Sequence, residues 1–241
     1  MQDNFSALLR KAISQERLDA YSQHCADDSD LNLFPHYAWN IALCESLYPA
    51  LHGLEVALRN SVHDAASDSF GSEFWFDNPD VISHARERGT ISKVNVKLAQ
   101  KGKPREAGRV VAELSFGFWT TLFEARYEQI LWPSLLKTVI PSMPRPIRTR
   151  KTLSTRLHRI RHMRNRVFHH EPIWHWHDLA RQHSELCETV GWINPAMLDM
   201  IKVLDRFPDV HRLGVQPFQQ AFAAMAEPER SNPRPSAVER P

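Results

Sequence analysis

Residues 47–65 carry a stripe of apolar side chains that strongly limits the folds open to this chain. Its members recur every three or four residues: Leu47, Leu51, Leu54, Leu58, Val62 and Ala65. On an α-helix this spacing places all six side chains on one face, which must be buried against other elements. Similar helical periodicity covers most of the chain, which has only 8 glycines and few hairpin signals. The sequence therefore predicts an all-α protein.

The same periodicity predicts where the helices lie. We expect helices at residues 3–24, from Phe34 to about residue 65 with a break or kink near Pro49, and at 80–101, 109–131, 148–170, 176–190 and 195–206. Segment 109–131 is apolar nearly all round, so it should lie at the centre of a bundle. We expect one domain over residues 1–224. Residues 225–241 have no apolar periodicity and are expected to be a disordered tail.

The composition limits the class of protein. The 241 residues are 42% hydrophobic and 24% charged, as in soluble globular proteins. The three cysteines, Cys25, Cys44 and Cys187, include no C-x-x-C pair, so neither a disulfide framework nor a zinc knuckle is expected. No segment has the pattern of a signal peptide, and no apolar run approaches the ~20 residues that span a bilayer. We expect a cytoplasmic protein without a membrane partner.

The most basic part of the chain lies between residues 145 and 170. It holds nine Lys or Arg residues and no Asp or Glu, and the next acidic residue is Glu171. Since the net charge of the chain is only +2, the cations are concentrated locally. Clustered cations attract phosphate oxygens, so the segment is a candidate RNA-binding surface. The alternative is a solvated basic face on a surface helix.

An arginine–histidine motif ends the basic segment, with the pattern Arg164-Asn165-x-x-x-His169-His170. An arginine followed by four to six residues and a histidine is the bare form of a ribonuclease signature. The chain has 13 histidines, and chance alone produces roughly three or four pairs of this kind. Spacing alone therefore does not identify a site.

A longer pattern around the motif resembles a known family. Residues 164–173, Arg-Asn-Arg-Val-Phe-His-His-Glu-Pro-Ile, are similar to the signature of the Abi-like (abortive-infection, AbiD/AbiF-type) proteins. These proteins belong to the HEPN superfamily of α-helical ribonucleases. Residues 39–60, which begin Trp-Asn-Ile-Ala, resemble the N-terminal block of the family. Residues 113–123, which begin Glu-Leu-Ser-Phe-Gly-Phe-Trp, resemble its central block. The three blocks occur in the family order and cover most of residues 35–175.

The resemblance implies a fold, an assembly and a site. The fold would be a HEPN-like helical bundle with additional helices. The assembly would be a homodimer in which the motifs of two protomers face one RNA-binding cleft. The catalytic residues would be Arg164, Asn165 and His169, with His170 in possible support. Whether His169 or His170 is the catalytic histidine stays open.

Elementary chemistry agrees with these roles. Cleaving RNA without a metal needs a base for the 2′-OH, an acid for the 5′-oxygen and a cation for the charge that develops around phosphorus. Histidine titrates near neutrality and arginine binds phosphate oxygens. In a straight helix Arg164 and His169 point about 140° apart, because each residue turns ~100°. A site shared across a two-fold axis is therefore easier to build than a site within one helix.

Two further groups of residues are predicted to support the site. Glu55, Arg59 and His63 stand at i, i+4 and i+8, so they share a helix face that can line the same cleft. The alternative is that Glu55 and Arg59 form an ion pair within their helix at the edge of the core. The basic segment supplies four predicted RNA-binding residues, Arg156, Arg159, Arg161 and Arg166.

The histidines that follow the motif raise the alternative of a metal site. They are His169, His170, His175, His177 and His183. On a helix His175 and His177 would point about 200° apart, and no H-E-x-x-H pattern is present. We therefore expect no metal ligands and no cofactor.

These observations predict a metal-independent endoribonuclease of an abortive-infection or toxin-like antiphage defence system, which cleaves RNA by 2′-OH attack. The expected partners are RNA, a second copy of the chain, and an antitoxin or a guide or regulatory partner. Two alternatives stay open. One is a catalytically inactive HEPN module that binds RNA or protein, and the other is a DNA-binding regulator that places the basic helix in a major groove.

Overall fold

One long helix, α3 (Asp30–Phe70), carries the predicted apolar stripe. The computed structural model of the chain describes residues 2–226. All six stripe residues are at most 4% exposed, which confirms the predicted buried face. The helix continues through Pro49, so of the predicted break or kink the break is wrong. A proline inside a helix costs about 3 kcal/mol. Burial of each flanking leucine contributes roughly 1.5–3 kcal/mol and offsets that cost.

Within residues 2–226 the chain forms twelve α-helices and no β-strand, which confirms the all-α prediction. The other helices are α1 (Gln2–Ile13), α2 (Gln15–Ser22), α4 (Ala85–Gln100), α5 (Ala107–Glu113), α6 (Phe116–Thr121), α7 (Trp132–Val139), α8 (Arg150–Phe168), α9 (Leu179–Ile193), α10 (Pro195–Leu204), α11 (Phe207–Leu213) and α12 (Gln216–Ala226). Helices α7, α11 and α12 were not predicted. No helix in this part of the chain has the length and apolar character needed to cross a membrane.

Two of the predicted helices are interrupted in the structure. The segment predicted at 3–24 breaks at Ser14, whose φ of 78° is incompatible with a right-handed helix. The segment predicted at 109–131 divides into α5, α6 and a 3-10 turn at Ala125–Tyr127. Ser115 caps α6, since its hydroxyl accepts a hydrogen bond from the Phe118 N–H at 3.3 Å. The side chains of Phe116, Phe118 and Trp119 are nevertheless buried, in keeping with the apolar character of the segment.

The described residues form two compact units, and the division falls within α3, after Ile41. The first unit combines residues 2–41 with 212–226. In it Leu18, Tyr21 and Phe34 are buried, and the Phe34 and Phe222 ring centroids are 6.0 Å apart. The second unit, residues 42–211, contains every predicted site residue. Most of the predicted tail, residues 227–241, lies outside the described residues.

Helix α8 corresponds to the basic segment and begins and ends two residues inside the predicted bounds of 148 and 170. Thr149 caps its N-terminus, where the hydroxyl accepts a hydrogen bond from the Thr152 N–H at 3.0 Å. One face of α8 is apolar and buried, and it consists of Leu153, Leu157, Ile160, Met163 and Val167. Burial of this face leaves the arginines and histidines of α8 toward its sides and the solvent.

Candidate active site

The motif histidines lie where α8 ends. His169 is the C-cap residue, and His170 has a φ of 59°, in the left-handed region. The N–H of His170 donates to the carbonyl of Val167 at 3.2 Å, and the N–H of Glu171 donates to the carbonyl of Arg166 at 2.9 Å. These bonds form a Schellman motif, which commonly places glycine at the position that His170 occupies. The backbone of His170 therefore helps to end the helix.

Arg164 connects α8 to α3. Its Nη2 lies 3.6 Å from Oε2 of Glu55, and its guanidinium carbon lies 4.4 Å from the centroid of the Phe168 ring. The side chains of Arg164 and Glu55 are 29% and 27% exposed. The Nε of Arg164 is buried and has no hydrogen-bond partner among residues 2–226. The guanidinium is thus held by a carboxylate and an aromatic ring, and an anion can still reach it.

A cavity of about 230 Å³ opens beside this ion pair. Six of its lining residues come from α3 and one from α8: Tyr48, Leu51, His52, Glu55, Val56, Arg59 and Phe168. The Nε of Arg59 is also buried and lacks a hydrogen-bond partner within the described chain. Tyr48 and Phe168 are 52% and 41% exposed, and their ring centroids are 6.3 Å apart. The cavity therefore brings Arg59 and the Arg164–Glu55 pair next to exposed aromatic rings.

Asn165 and His169 lie within the last turn of α8 or just beyond it, and both are exposed. The backbone N–H of His169 donates to the carbonyl of Asn165 at 2.9 Å, which extends the helical hydrogen bonding to the cap residue. In the described part of the chain neither side chain makes a hydrogen bond or an ion pair. Both side chains are therefore accessible from solvent.

The three residues predicted on α3 are only partly brought together. Glu55 and Arg59 both line the cavity, and Glu55 pairs with Arg164 on α8 instead of Arg59 on its own helix. His63 does not line the cavity. Its Nδ1 accepts a hydrogen bond from the buried indole Nε1 of Trp75 at 3.1 Å. Burial lowers the pKa of His63. These contacts place His63 at the edge of the core.

Two of the predicted RNA-binding arginines hold α8 to α9. Arg156 donates to Oε2 of Glu188 at 2.8 Å and to the backbone carbonyl of Glu185 at 3.0 Å. Its guanidinium carbon lies 4.8 Å from the centroid of the Trp192 ring. Arg159 donates to Oε2 of Glu185 at 2.7 Å. Acidic side chains therefore offset both positive charges.

The other two predicted RNA-binding arginines have weaker or more local partners. Arg161 donates to the hydroxyl of Thr120 at 3.4 Å. Arg166 pairs with Glu171, five residues later, and its guanidinium carbon lies 5.8 Å from the centroid of the Trp176 ring. Because Thr120 is neutral, Arg161 keeps its full positive charge for an anionic ligand.

One group of side chains could hold a metal ion, although the sequence predicted no metal ligands. His183, Cys187 and Asp205 each offer a ligand atom, and these atoms all lie within 4.8 Å of one another. His183 and Cys187 are four residues apart on α9, so they share a helix face. This i, i+4 spacing is the sequence feature that could have indicated a His183–Cys187 pair. The position of Asp205 beside that pair depends on the tertiary structure. Burial lowers the pKa of His183 and raises that of Cys187 to about 11.

The chain matches no protein-family model, no curated protein and no solved structure. The likeness to Abi-like proteins therefore rests on the three blocks of residues alone. In the structure two of these blocks, residues 39–60 and 164–173, supply the residues around the cavity.

Proposed function

We propose that this protein is a metal-independent endoribonuclease with its active site at the C-terminal end of α8. One observation carries the proposal. The Arg164 guanidinium stands beside the cavity that Glu55 and Arg59 line, and the exposed side chains of Asn165 and His169 follow one and five residues later in the chain. A cation that can bind phosphate and an exposed imidazole, a type of side chain that serves in acid–base catalysis, thus both lie at the C-terminal end of α8.

Each residue takes a defined role in the cleavage step. Arg164 binds the non-bridging oxygens of the scissile phosphate, and Arg59 adds positive charge to the same cavity. His169 accepts the proton of the 2′-OH as that oxygen attacks phosphorus. A bond then forms between phosphorus and the 2′-oxygen, the bond to the 5′-oxygen breaks, and the 5′-oxygen takes up a proton. Asn165 holds a phosphate oxygen or orients His169.

The acid in this reaction comes from a second protomer in our proposal. Arg164 is held toward α3 by Glu55, whereas His169 follows the end of α8. Two motifs that meet at a two-fold axis would supply two histidines, one as base and one as acid, and two arginines. The exposed rings of Tyr48 and Phe168 beside the cavity offer faces on which a nucleobase can stack.

Single-residue variants test the assignment. Arg164→Ala and His169→Ala should each lower the single-turnover cleavage rate by at least about 100-fold, with unchanged circular dichroism. His158→Ala is the matched control, because His158 is exposed on the same helix. It should leave the rate within about twofold of the original rate. Equal losses in His158→Ala and His169→Ala would mean that α8 acts only as a basic surface.

The ends of the RNA products test the mechanism. Attack by the 2′-OH leaves a 2′,3′-cyclic phosphate and a 5′-OH, and cleavage should persist in EDTA. RNA with one 2′-deoxynucleotide at the scission position should still bind, since its phosphate is unchanged, and should stay uncut. Products that carry a 5′-phosphate would contradict the roles of Arg164 and His169, because such ends arise from attack by water. The product ends decide the mechanism, since a chelator also affects ions bound for other reasons.

A catalytically inactive HEPN module is the second candidate, and the Arg164–Glu55 pair favours it. The Glu55 carboxylate offsets the charge of the arginine that would bind the scissile phosphate. An inactive module would bind RNA or a partner protein and would yield no cleaved ends under any condition tested. RNA binding that Arg164→Ala weakens, without product formation by the unmodified protein, would establish this function instead.

The biological setting that we propose rests on the resemblance to Abi-like proteins. In that setting the chain acts in the cytoplasm in an abortive-infection or toxin-like antiphage system. An antitoxin or a guide or regulatory partner would restrain or direct its activity. Expression in a bacterial host should slow growth, and Arg164→Ala should relieve that effect. Equal toxicity of the original protein and Arg164→Ala would show that the toxicity does not depend on the proposed active site.

A further inference from the structure

A second group of chemically active side chains lies on α9 and in the turn between α10 and α11, outside the proposed active site. The Nε2 of His183 lies 3.2 Å from Oδ1 and 3.1 Å from Oδ2 of Asp205. The same nitrogen lies 3.5 Å from Sγ of Cys187. His183 is buried, whereas Cys187 and Asp205 are partly exposed. The cluster is therefore preformed and open to solvent on one side.

The arrangement differs from a nucleophilic Cys–His–Asp triad. In a triad the two ring nitrogens of histidine divide the work, one toward the nucleophile and the other toward the carboxylate. Here the thiol and the carboxylate both face Nε2 of His183. One nitrogen carries at most one proton, so it cannot serve both partners as in a triad. A cation bound by all three side chains needs the nitrogen, sulfur and oxygen atoms to lie around one point, as they do here.

Two of the three ligand separations agree with tetrahedral coordination of one ion. Zinc–nitrogen and zinc–oxygen bonds of about 2.0–2.1 Å and a zinc–sulfur bond of about 2.3 Å place tetrahedral ligands about 3.3 Å (N to O) and 3.6 Å (N to S) apart. The observed separations are 3.2 Å for nitrogen to oxygen and 3.5 Å for nitrogen to sulfur. The third pair, Sγ of Cys187 and the Asp205 oxygen, lies within 4.8 Å, so the three ligand atoms can surround one ion.

We propose that His183, Cys187 and Asp205 bind a divalent transition-metal ion of the zinc type, with water in the fourth position. Imidazole and thiolate ligands select zinc or related ions over calcium and magnesium, which take oxygen ligands. The sulfur binds as thiolate, and the thiol proton passes to solvent. The inference concerns a site separate from Arg164 and His169 and does not depend on the proposed nuclease activity.

Neighbouring contacts orient two of the three ligands. The His183 ring stacks on Phe207, with ring centroids 4.3 Å apart and an interplanar angle of 19°. The Asp205 Oδ1 accepts a hydrogen bond from the Phe207 N–H at 3.1 Å. Such supporting contacts are typical of metal sites, because they fix the direction of the ligand atoms. A bound ion would join α9 to the turn between α10 and α11. It would thereby stabilise α9, whose glutamates pair with Arg156 and Arg159 of α8.

Cobalt titration of the full-length, tag-free, metal-stripped protein tests the proposal. Tetrahedral Co²⁺ bound to a thiolate has intense visible bands and a sulfur charge-transfer band, so the spectrum reports the ligand type. We expect saturation at one Co²⁺ per chain and loss of the bands when Zn²⁺ is added. Zn²⁺ should also raise the midpoint of thermal unfolding. Absence of a thiolate band in the unmodified protein would overturn the proposal without reference to any variant.

Ligand variants show which residues hold the ion. Cys187→Ser and His183→Gln should lower the affinity for Co²⁺ by at least about tenfold and remove the thermal shift caused by Zn²⁺. Asp205→Asn should weaken binding while its side-chain oxygen still accepts from the Phe207 N–H. The matched control is Cys44→Ser, because Cys44 is another partly buried thiol whose pKa burial raises to about 11. Equal affinity in Cys187→Ser and Cys44→Ser would overturn the assignment.

Discussion

Arg164 of α8 and Glu55 of α3 form the ion pair that defines one wall of the proposed active site. Their closest nitrogen and oxygen atoms are 3.6 Å apart, and both side chains are partly exposed. At that distance and exposure the pair contributes at most about 1 kcal/mol to folding. Its main effect is on position, because it keeps the guanidinium beside the cavity that Arg59 also lines.

Replacing Glu55 should separate RNA binding from catalysis. Glu55→Gln removes a negative charge near the phosphate site, so affinity for uncleavable 2′-deoxy-substituted RNA should rise by about threefold. The single-turnover cleavage rate should fall by about tenfold, because Arg164 loses the contact that orients it. Glu45→Gln is the matched control. Like Glu55, Glu45 lies on α3 and pairs with an arginine, Arg206, but both of these side chains are exposed. Weaker RNA binding in Glu55→Gln would contradict the prediction.

Replacing His170 should distinguish the two motif histidines. Its φ of 59° favours glycine. His170→Gly should leave the free energy of unfolding unchanged or raise it by up to about 1 kcal/mol, whereas His170→Val should lower it by about 1–2 kcal/mol. Urea unfolding measures both effects. Cleavage by His170→Gly should stay within about threefold of the original rate, because His169 is the proposed base. Loss of cleavage in a stable His170→Gly protein would transfer the role to His170.

Mixing the original protein with an inactive variant should test whether the site is shared between protomers. Equal amounts of the original protein and His169→Ala are unfolded and refolded together, so that about half of the dimers are mixed. If each site needs His169 of both protomers, the mixed dimers should be inactive and the activity should be about a quarter of that of the original protein. The two proteins refolded separately and then combined are the control and should keep about half of it. Half of the original activity in the mixture refolded together, despite mixed dimers seen by native mass spectrometry, would place each site within one protomer.

Acid should destabilise the protein partly through His63. Burial lowers the pKa of His63 in the folded chain, whereas the unfolded value is about 6.5. The folded state therefore binds fewer protons in mild acid, so this contribution to stability is complete above about pH 6.5 and is lost as the pH falls. Protonation of Nδ1 would also remove the acceptor for the Trp75 indole.

The His63→Gln variant isolates this effect, because glutamine does not titrate and its amide oxygen can accept from Trp75. We expect the free energy of unfolding, measured in urea at several pH values, to fall more steeply below pH ~6.5 in the original protein than in His63→Gln. His158→Gln, at an exposed position on α8, should leave the pH profile unchanged. Identical profiles in all three proteins would show that His63 does not contribute.

The sequence alone determined the helical class, the buried faces and the location of the motif. Apolar periodicity is a local property, so it identified the stripe on α3 and the place of α8 to within two residues. It also predicted that Glu55 and Arg59 share a face, because residues four apart on a helix are neighbours. It failed at Ser14 and Ser115, where single residues end helices that the apolar pattern would continue.

Only the tertiary structure decided which charges are paired and which side chains meet. Arg156 pairs with Glu185 and Glu188 because α8 packs against α9. A local sequence pattern cannot predict the distance between side chains on two different helices. For the same reason His63 contacts Trp75, whereas Glu55, eight residues earlier on the same face of α3, pairs with Arg164. For this reason, too, the sequence did not predict that Asp205 lies next to His183 and Cys187. Charge pairing and ligand geometry act over a few ångströms between distant segments, and the fold alone sets those separations.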